Sequence, residues 1–278
     1  SFIAGSTAVP AFEFARDTLL NPASPACLWK HPWQATRVAV AALEDVLLPV
    51  TARVLPGASR ECPVCGWQGR RFRNFVSADE IIRHCICPAC GSFDRHRQLV
   101  LGVRAELAAA AGAAPEVMLG FSLSRALRFS LEHEGLARCF RSDIDLADHR
   151  FSPDVLSDLR SAAFGDASVD WIFCSHVLEH IPELELCVDE ILRILKPGGI
   201  AWLQVPFEPG LAHSRRIPVD AHRAHAHAWQ FAPDFGVLIE RDGWTVVEVV
   251  ADQMLTVDEL QRYGIDPRER FWQARKHA

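Results

Sequence analysis

Two short turns, Cys62-Pro-Val-Cys65-Gly and Cys87-Pro-Ala-Cys90-Gly, lie 21 residues apart in a chain of 278. A tetrahedral zinc ion takes four thiolates, and two such turns supply them with little chain strain. The glycine after each second cysteine lets the backbone turn and aim N–H groups at the sulfurs. Four protein ligands leave no open position, so the expected zinc is structural rather than catalytic. Cys85 is a fifth candidate that could replace Cys87, although the C-x-x-C register favours Cys87. A redox dithiol would not need two turns with matching wording. Cys27, Cys139 and Cys187 read as ordinary core or surface residues.

Histidines form the second concentration of reactive groups. His176 and His180 are one helical turn apart, which predicts that they share a face. The run "DAHRAHAHAWQF" (220–231) places His225 and His227 in an H-x-H pattern. That pattern suits a proton acceptor, a second metal or a polar surface loop. His180 and His225 are the candidate general bases. A third stretch, "VMLGFSLSRAL" (117–127), falls where a nucleotide-binding fold would carry a glycine-rich loop, yet holds the single glycine Gly120.

The elements that must position these groups follow from periodicity. Residues 1–56 read as a helical N-terminal extension, with an amphipathic helix at about 34–48. Residues 57–98 read as a zinc-ribbon module, short of apolar periodicity and rich in Cys, Gly and Arg. Residues 99–278 alternate helices with short apolar strands. Strands are predicted at 116–121, 137–144, 154–157, 169–175, 200–207, 245–251 and 270–276. Helices are predicted at 124–134, 177–195 and 234–242, the second stopped by "KPGG". Strands spaced by helices imply an α/β fold with a mostly parallel sheet. The last two strands, with no full helix between them, suggest one antiparallel edge pair.

Composition bounds the function. Hydrophobic content of 49% and charged content of 23% are ordinary for a globular protein. The net charge of −6 gives no global reason to expect a polyanionic partner. Residues 60–104 are the exception: eight arginines against four acidic residues make them net +4, and leave the rest of the chain at −10. A basic ribbon can grip nucleic acid phosphates, or its arginines can pack the module against an acidic neighbour. No apolar run reaches the ~18 residues of a membrane helix, and the start lacks a basic signal-peptide region. Nine cysteines, odd in number and crowded at 62–90, point to a reducing compartment, most simply the cytoplasm.

One segment resembles a known family. "SVDWIFCSHVLEHIPELELCVDEILRILKPGGIAWLQVP" (168–206) is similar to the fourth strand, following helix and fifth strand of class I S-adenosylmethionine-dependent methyltransferases. The matching positions are Asp170, His176-Val-Leu-Glu-His180, Glu190, Arg193 and Lys196-Pro-Gly-Gly199. "CPACGSFDRHR" (87–97) and "RYGIDPRERFWQARK" resemble a bacterial subgroup with an N-terminal zinc ribbon. The resemblance spans about 60–278 and implies a Rossmann-like seven-stranded sheet binding S-adenosylmethionine.

In such sheets the ligand lies across the carboxyl ends of the strands, near the switch in strand order. Asp143, with Asp145 as a rival decided by register, ends the second strand, where a carboxylate can accept from ribose hydroxyls. Asp158 follows the third strand, where one can accept from the adenine amino group. Cys174, Ser175 and His176 end the fourth, beside the expected methionine moiety. Gly120, Phe121 and Ser122 form the first turn. S-adenosylmethionine has no phosphates, so Ser122 or Ser124, with backbone N–H groups, can replace repeated glycines. Arg125 could pair the cofactor's carboxylate or stay solvated. The acidic residue that the subgroup often places near Ser124 is absent, which keeps a decayed, non-catalytic binding protein as a rival. Methyl transfer to a small-molecule acceptor leads, and RNA methylation with the ribbon as grip is the enzyme alternative.

Overall fold

The computed structural model describes residues 40, 43, 57–76, 81–109, 114–134, 136, 139–144, 153–208, 210–218 and 227–278. Asp145, His225 and most of residues 1–56 lie outside the described residues. The chain divides into two compact units, Ser1–Arg97 with Leu255–Pro267, and Gln98–Met254 with Arg268–Ala278.

In chain order the strands and helices begin with β1 (Arg60–Glu61), β2 (Gln68–Gly69), β3 (Arg73–Val76), β4 (Ile81–Ile86) and α1 (Asp94–Ala109). Next come β5 (Met118–Phe121), α2 (Arg125–His133), β6 (Cys139–Asp143), β7 (Val155–Leu156) and β8 (Val169–Ser175). They continue with α3 (Leu184–Ile194), β9 (Leu195–Gln204), β10 (Arg215–Arg216), β11 (Trp229–Gln230) and α4 (Phe235–Leu238). The chain closes with β12 (Trp244–Val250), α5 (Ala251–Met254), α6 (Val257–Tyr263) and β13 (Arg270–Lys276).

The first unit is built from two small hairpins, β1 with β2 and β3 with β4. A core this small needs a staple, and Arg97 supplies one. Its fully buried guanidinium donates to the carbonyls of Tyr263 (2.7 Å), Cys85 (3.0 Å), Ser92 (2.8 Å) and Gly264 (2.7 Å). It also lies over the Phe72 ring, 4.0 Å from its centre. Gly264 ends α6 in the left-handed region at φ 59°, where a Cβ would stand 2.5 Å from Phe72. Glycine therefore both permits the turn and leaves room for the ring.

The second unit is a seven-stranded sheet in the order β12-β13-β9-β8-β5-β6-β7. Strands β5 to β9 are parallel, and β13 is antiparallel to both of its neighbours. The sheet is the Rossmann-like seven-stranded sheet expected. The expected antiparallel edge pair is present: β12 is the edge strand, and its antiparallel partner, lying against β9, is β13. Its Phe271, Trp272 and Ala274 are buried, so the strand belongs in the interior. A helix does lie between these strands. The capping box of α6, with Thr256 and Glu259 satisfying each other's backbone, is a sequence signal for it that periodicity alone misses.

Two further elements differ from expectation. The helix predicted over 177–195 is a short 3-10 turn at Leu178–His180, then α3 from Leu184. Pro182 donates no hydrogen bond and pushes Ile181 out of the helical region, so the two cannot join. The helix predicted over 234–242 shrinks to the four residues of α4.

Pairs from the family-like segment brace the sheet. The Asp170 carboxylate accepts from the backbone N–H groups of Val117 (2.8 Å) and Glu116 (3.1 Å) and from Lys196 (2.9 Å), tying the starts of β5, β8 and β9 together. Glu190 and Arg193 hold the loop before β8 through the N–H and carbonyl of Ala162 (2.8 and 3.0 Å) and the carbonyl of Phe164 (2.9 Å). At Gly199 a Cβ would stand 2.7 Å from the Asp170 carbonyl and 2.9 Å from that of Lys196.

Gly199→Ala should therefore lower stability by about 1–3 kcal/mol, because backbone cannot move aside cheaply. Gly165→Ala, with open space around it, should stay within about 0.5 kcal/mol; thermal melts compare the two. The Arg193 guanidinium holds the Glu190 carboxyl below its ordinary range, and the Arg160 guanidinium does the same for Asp158. Such depressed groups stabilise the fold above the ordinary carboxylate range, and this contribution is lost as pH falls through their lowered values. Glu190→Gln should flatten the acid limb of a stability-versus-pH curve.

Candidate functional site

The strand order reverses between β5 and β8: β6 and β7 follow on one side, β9 on the other. Helices leaving neighbouring strands to opposite faces open a crevice at the carboxyl ends. Both central strands end in a backbone conformation that side chains rarely adopt. Ser122, directly after β5, has φ 46°, and His176, directly after β8, has φ 57°. Left-handed backbone at non-glycine residues costs about 1–3 kcal/mol and persists where the surroundings enforce it, commonly at functional sites.

The Ser122 hydroxyl donates to the Asp143 carboxylate at 2.7 Å, and the N–H of Ile144 donates to its other oxygen at 2.7 Å. Register thus puts Asp143, at the end of β6, in the crevice. Ser124 caps α2 by accepting from the Leu127 N–H at 3.2 Å, so its hydroxyl is engaged with the helix. Gly120 is a packing position: a Cβ there would stand 2.7 Å from the Cβ of Leu123. Phe121 is buried at 3% exposure in the apolar core.

Asp158 follows β7 and caps the 3-10 turn at Leu159–Ser161. Its carboxylate accepts from the Arg160 guanidinium at 2.6 Å. Ser175 donates to the Gln204 side chain at 2.9 Å, linking the ends of β8 and β9. Cys174 is fully buried in the apolar core, which drives its thiol far above the usual range. The side chains brought together at the crevice are thus Ser122 with Asp143 and the groups after β8, while Phe121 and Cys174 contribute backbone and core.

The residues after β8 form a cluster of their own. His176 and His180 were expected one α-helical turn apart on one face; the 3-10 turn instead points both at Glu179. The Glu179 Oε1 lies 3.4 Å from His176 Nδ1 and 3.8 Å from His180 Nε2, and the residue is 1% exposed. His227 joins from the other side, its ring 4.9 Å from that of His180. The carbonyl of Glu179 accepts from the N–H of Ala228 at 2.6 Å, fixing His227 beside it. Sequence reasoning missed Glu179, although it stands between the two histidines it approaches.

In the first unit, the four predicted cysteines converge. Cys62 Sγ lies 3.8 Å from Cys90 Sγ, and Cys65 Sγ lies 3.7 Å from Cys87 Sγ. A tetrahedron with Zn–S bonds of about 2.3 Å has edges of roughly 3.8 Å, so the sulfurs fit zinc. The two turns repeat each other: Gly66 N–H donates to the Cys62 carbonyl at 2.8 Å and Gly91 N–H to that of Cys87 at 2.9 Å. Both glycines are left-handed, at φ 73° and 74°. Hydrogen bonds from Cys65, Cys87 and Cys90 hold the Cys62 thiol far below its usual range. Cys85 is not a member; burial pushes its thiol up to about 12, and it donates to the Ile82 carbonyl.

Residues 123–203 match the family described as a methyltransferase domain. A search of the curated proteins gives no match. Among solved structures, a chain of the Haloferax volcanii Trm112 methyltransferase activator complex is 19% identical, with 66% of this chain and 90% of that one covered and a TM-score of 0.44. The Burkholderia thailandensis 1,6-didemethyltoxoflavin-N1-methyltransferase is 16% identical, with 65% and 79% covered and a TM-score of 0.43. An S-adenosylmethionine dependent methyltransferase from Mesorhizobium loti is 16% identical, with 63% and 100% covered and a TM-score of 0.41. The match to a methyltransferase domain thus falls on residues 123–203, which run from the turn after β5 into β9.

Ser122→Ala removes a charge-assisted hydrogen bond while keeping the strained backbone, and should cost about 1–2 kcal/mol. Ser122→Gly relieves the strain and should be about 1 kcal/mol more stable than the alanine variant. Denaturant melts of the two variants check the order.

Proposed function

We propose that this protein transfers the methyl group of S-adenosylmethionine to a small-molecule acceptor, with a structural zinc ion in the Cys62, Cys65, Cys87, Cys90 site. The observation that carries the cofactor reading is the Asp143 carboxylate, fixed by Ser122 at the switch point of the sheet. There Asp143 would accept from the ribose hydroxyls. Asp158 stands after β7 for the adenine amino group, and its bond to Arg160 keeps it ionised. The backbone of Gly120, Phe121 and Cys174, with Ser122, Ser175 and His176, would border the methionine moiety. When bound, the cofactor supplies a methyl group already activated as a sulfonium, so the protein's main task is alignment.

Two observations support a small acceptor over RNA. Outside residues 60–104 the chain is net −10, which disfavours a polyanion at the methyltransferase half. Within the basic stretch, Arg97 is spent on backbone carbonyls and Arg104 on Glu134 at 2.6 Å. The bases read from the sequence are His180 and His225. His180 sits in the cluster around Glu179, where a second role is argued below. Eight described cysteines carry no disulfide, which supports a reducing, cytoplasmic setting. No described helix is long and apolar enough to cross a membrane.

Calorimetric titration with S-adenosylmethionine and S-adenosylhomocysteine tests the reading. Both should bind, and Asp143→Ala should weaken each by about 10–100-fold, the loss of a charged hydrogen-bond acceptor. No heat with either ligand would sink it. Salt-insensitive turnover supports the small acceptor, whereas RNA binding that falls steeply with salt favours the ribbon as a grip. The ribbon should keep about one zinc ion per chain through dialysis against a moderate chelator. Paired Cys62→Ser and Cys87→Ser should lose it.

A further inference from the structure

The geometry points to a second metal site, for a borderline divalent cation such as Zn2+, Co2+ or Ni2+, held by Glu179, His180 and His227 near the end of β8. The ligand atoms of these three residues all lie within 4.8 Å of one another.

The argument starts from a charge. Glu179 is 1% exposed, and a buried carboxylate is costly unless it is paired and hydrogen-bonded. Neither nearby imidazole supplies a good bond: 3.4 and 3.8 Å exceed the usual hydrogen-bond range. The other oxygen, Oε2, is buried and meets no hydrogen-bond partner among the described residues. Protonating the histidines is a poor remedy. The rings of His180 and His227 are 4.9 Å apart, so two imidazolium charges would repel. A divalent cation resolves both problems, because it takes neutral imidazoles as ligands and neutralises the carboxylate.

The three donors can reach it. His180 is 32% exposed and His227 is exposed, so an ion from solvent can reach both rings. Coordination at about 2.0–2.2 Å needs donor atoms roughly 3.0–3.5 Å apart, a closure of an ångström or two. Glu179 is meanwhile fixed by its backbone bond to Ala228. Two imidazoles and one carboxylate leave further coordination positions open. His176, on the same carboxylate oxygen, is the next donor in reach. An oxygen of the acceptor is the other group that could fill an open position. That last point rests on the methyltransferase reading; the cation site itself does not.

Cobalt distinguishes this site from the ribbon. A thiolate-bound Co2+ shows sulfur-to-metal charge transfer, whereas nitrogen and oxygen ligands give only weak d–d bands. Zinc-loaded protein titrated with Co2+ should gain one saturable cobalt per chain with d–d bands and no charge transfer. His227→Ala, at an exposed position that should fold normally, should weaken that binding at least tenfold, and Glu179→Gln likewise. His213→Ala, an exposed histidine elsewhere in the unit, should leave it unchanged. Absence of saturable d–d absorption, or a His227→Ala variant that binds as the wild type does, overturns the proposal. The readout involves neither methyl transfer nor S-adenosylhomocysteine, so its failure and that of the methyltransferase reading are separable.

Discussion

Everything at the proposed catalytic centre depends on β5 and β8 pairing in parallel at the middle of the sheet. Their register sets Phe121 beside Cys174, so the residues that leave the two strands, Ser122 and Ser175-His176, emerge side by side. Both exits are strained, at φ 46° and 57°. Local sequence would not choose these conformations; the buried strands on one side and the hydrogen bonds on the other impose them. Asp143 follows from the next pairing, which ends β6 level with Ser122. The Asp170 bonds to β5 and β9 keep this arrangement in register from the opposite edge.

The two units handle buried charge in opposite ways. Arg97 is buried but well satisfied: each of its three nitrogens donates to a carbonyl, and the ring of Phe72 covers its face. It acts as structure, and explains why a small unit with little apolar core can hold its four cysteines in place. Glu179 is buried, and one of its oxygens has no hydrogen-bond partner among the described residues. An unsatisfied buried carboxylate lowers stability, so its presence beside two histidines is better understood as a ligand than as a brace. The two proposed metal sites thus differ in donor chemistry, four soft sulfurs in one and a mixed nitrogen and oxygen set in the other.

Much of the fold was legible because its strands are short apolar runs between helices. The boundaries of β8 and β13 were read closely: β8 is a strongly apolar run, and β13 sets Phe271, Trp272 and Ala274 among polar residues. The ribbon was legible because zinc ligation depends on local spacing, which the sequence displays directly. What failed was non-local or subtle. Helix α6 between β12 and β13 went unread because seven residues are too few for periodicity to show, although the antiparallel edge pair itself was legible. The broken helix after β8 was written in Pro182, but the apolar periodicity on both sides outweighed it. Glu179 was passed over because a lone glutamate usually faces solvent, and its burial exists only once Ala228 has folded against it. Gly120 looked like the remnant of a ligand-binding loop. Its missing side chain is explained by Leu123, and the ligand-facing role proposed above falls to Ser122 and Asp143.

The most direct test of the central claim is a crystal structure of the protein grown with S-adenosylhomocysteine. The account predicts ligand density across the carboxyl ends of β5, β6 and β8, with the ribose hydroxyls at Asp143 and the amino-acid end beside Ser122 and Ser175. Ligand bound at the opposite edge of the sheet, or a crevice that stays free of it at saturating concentration, would contradict the account.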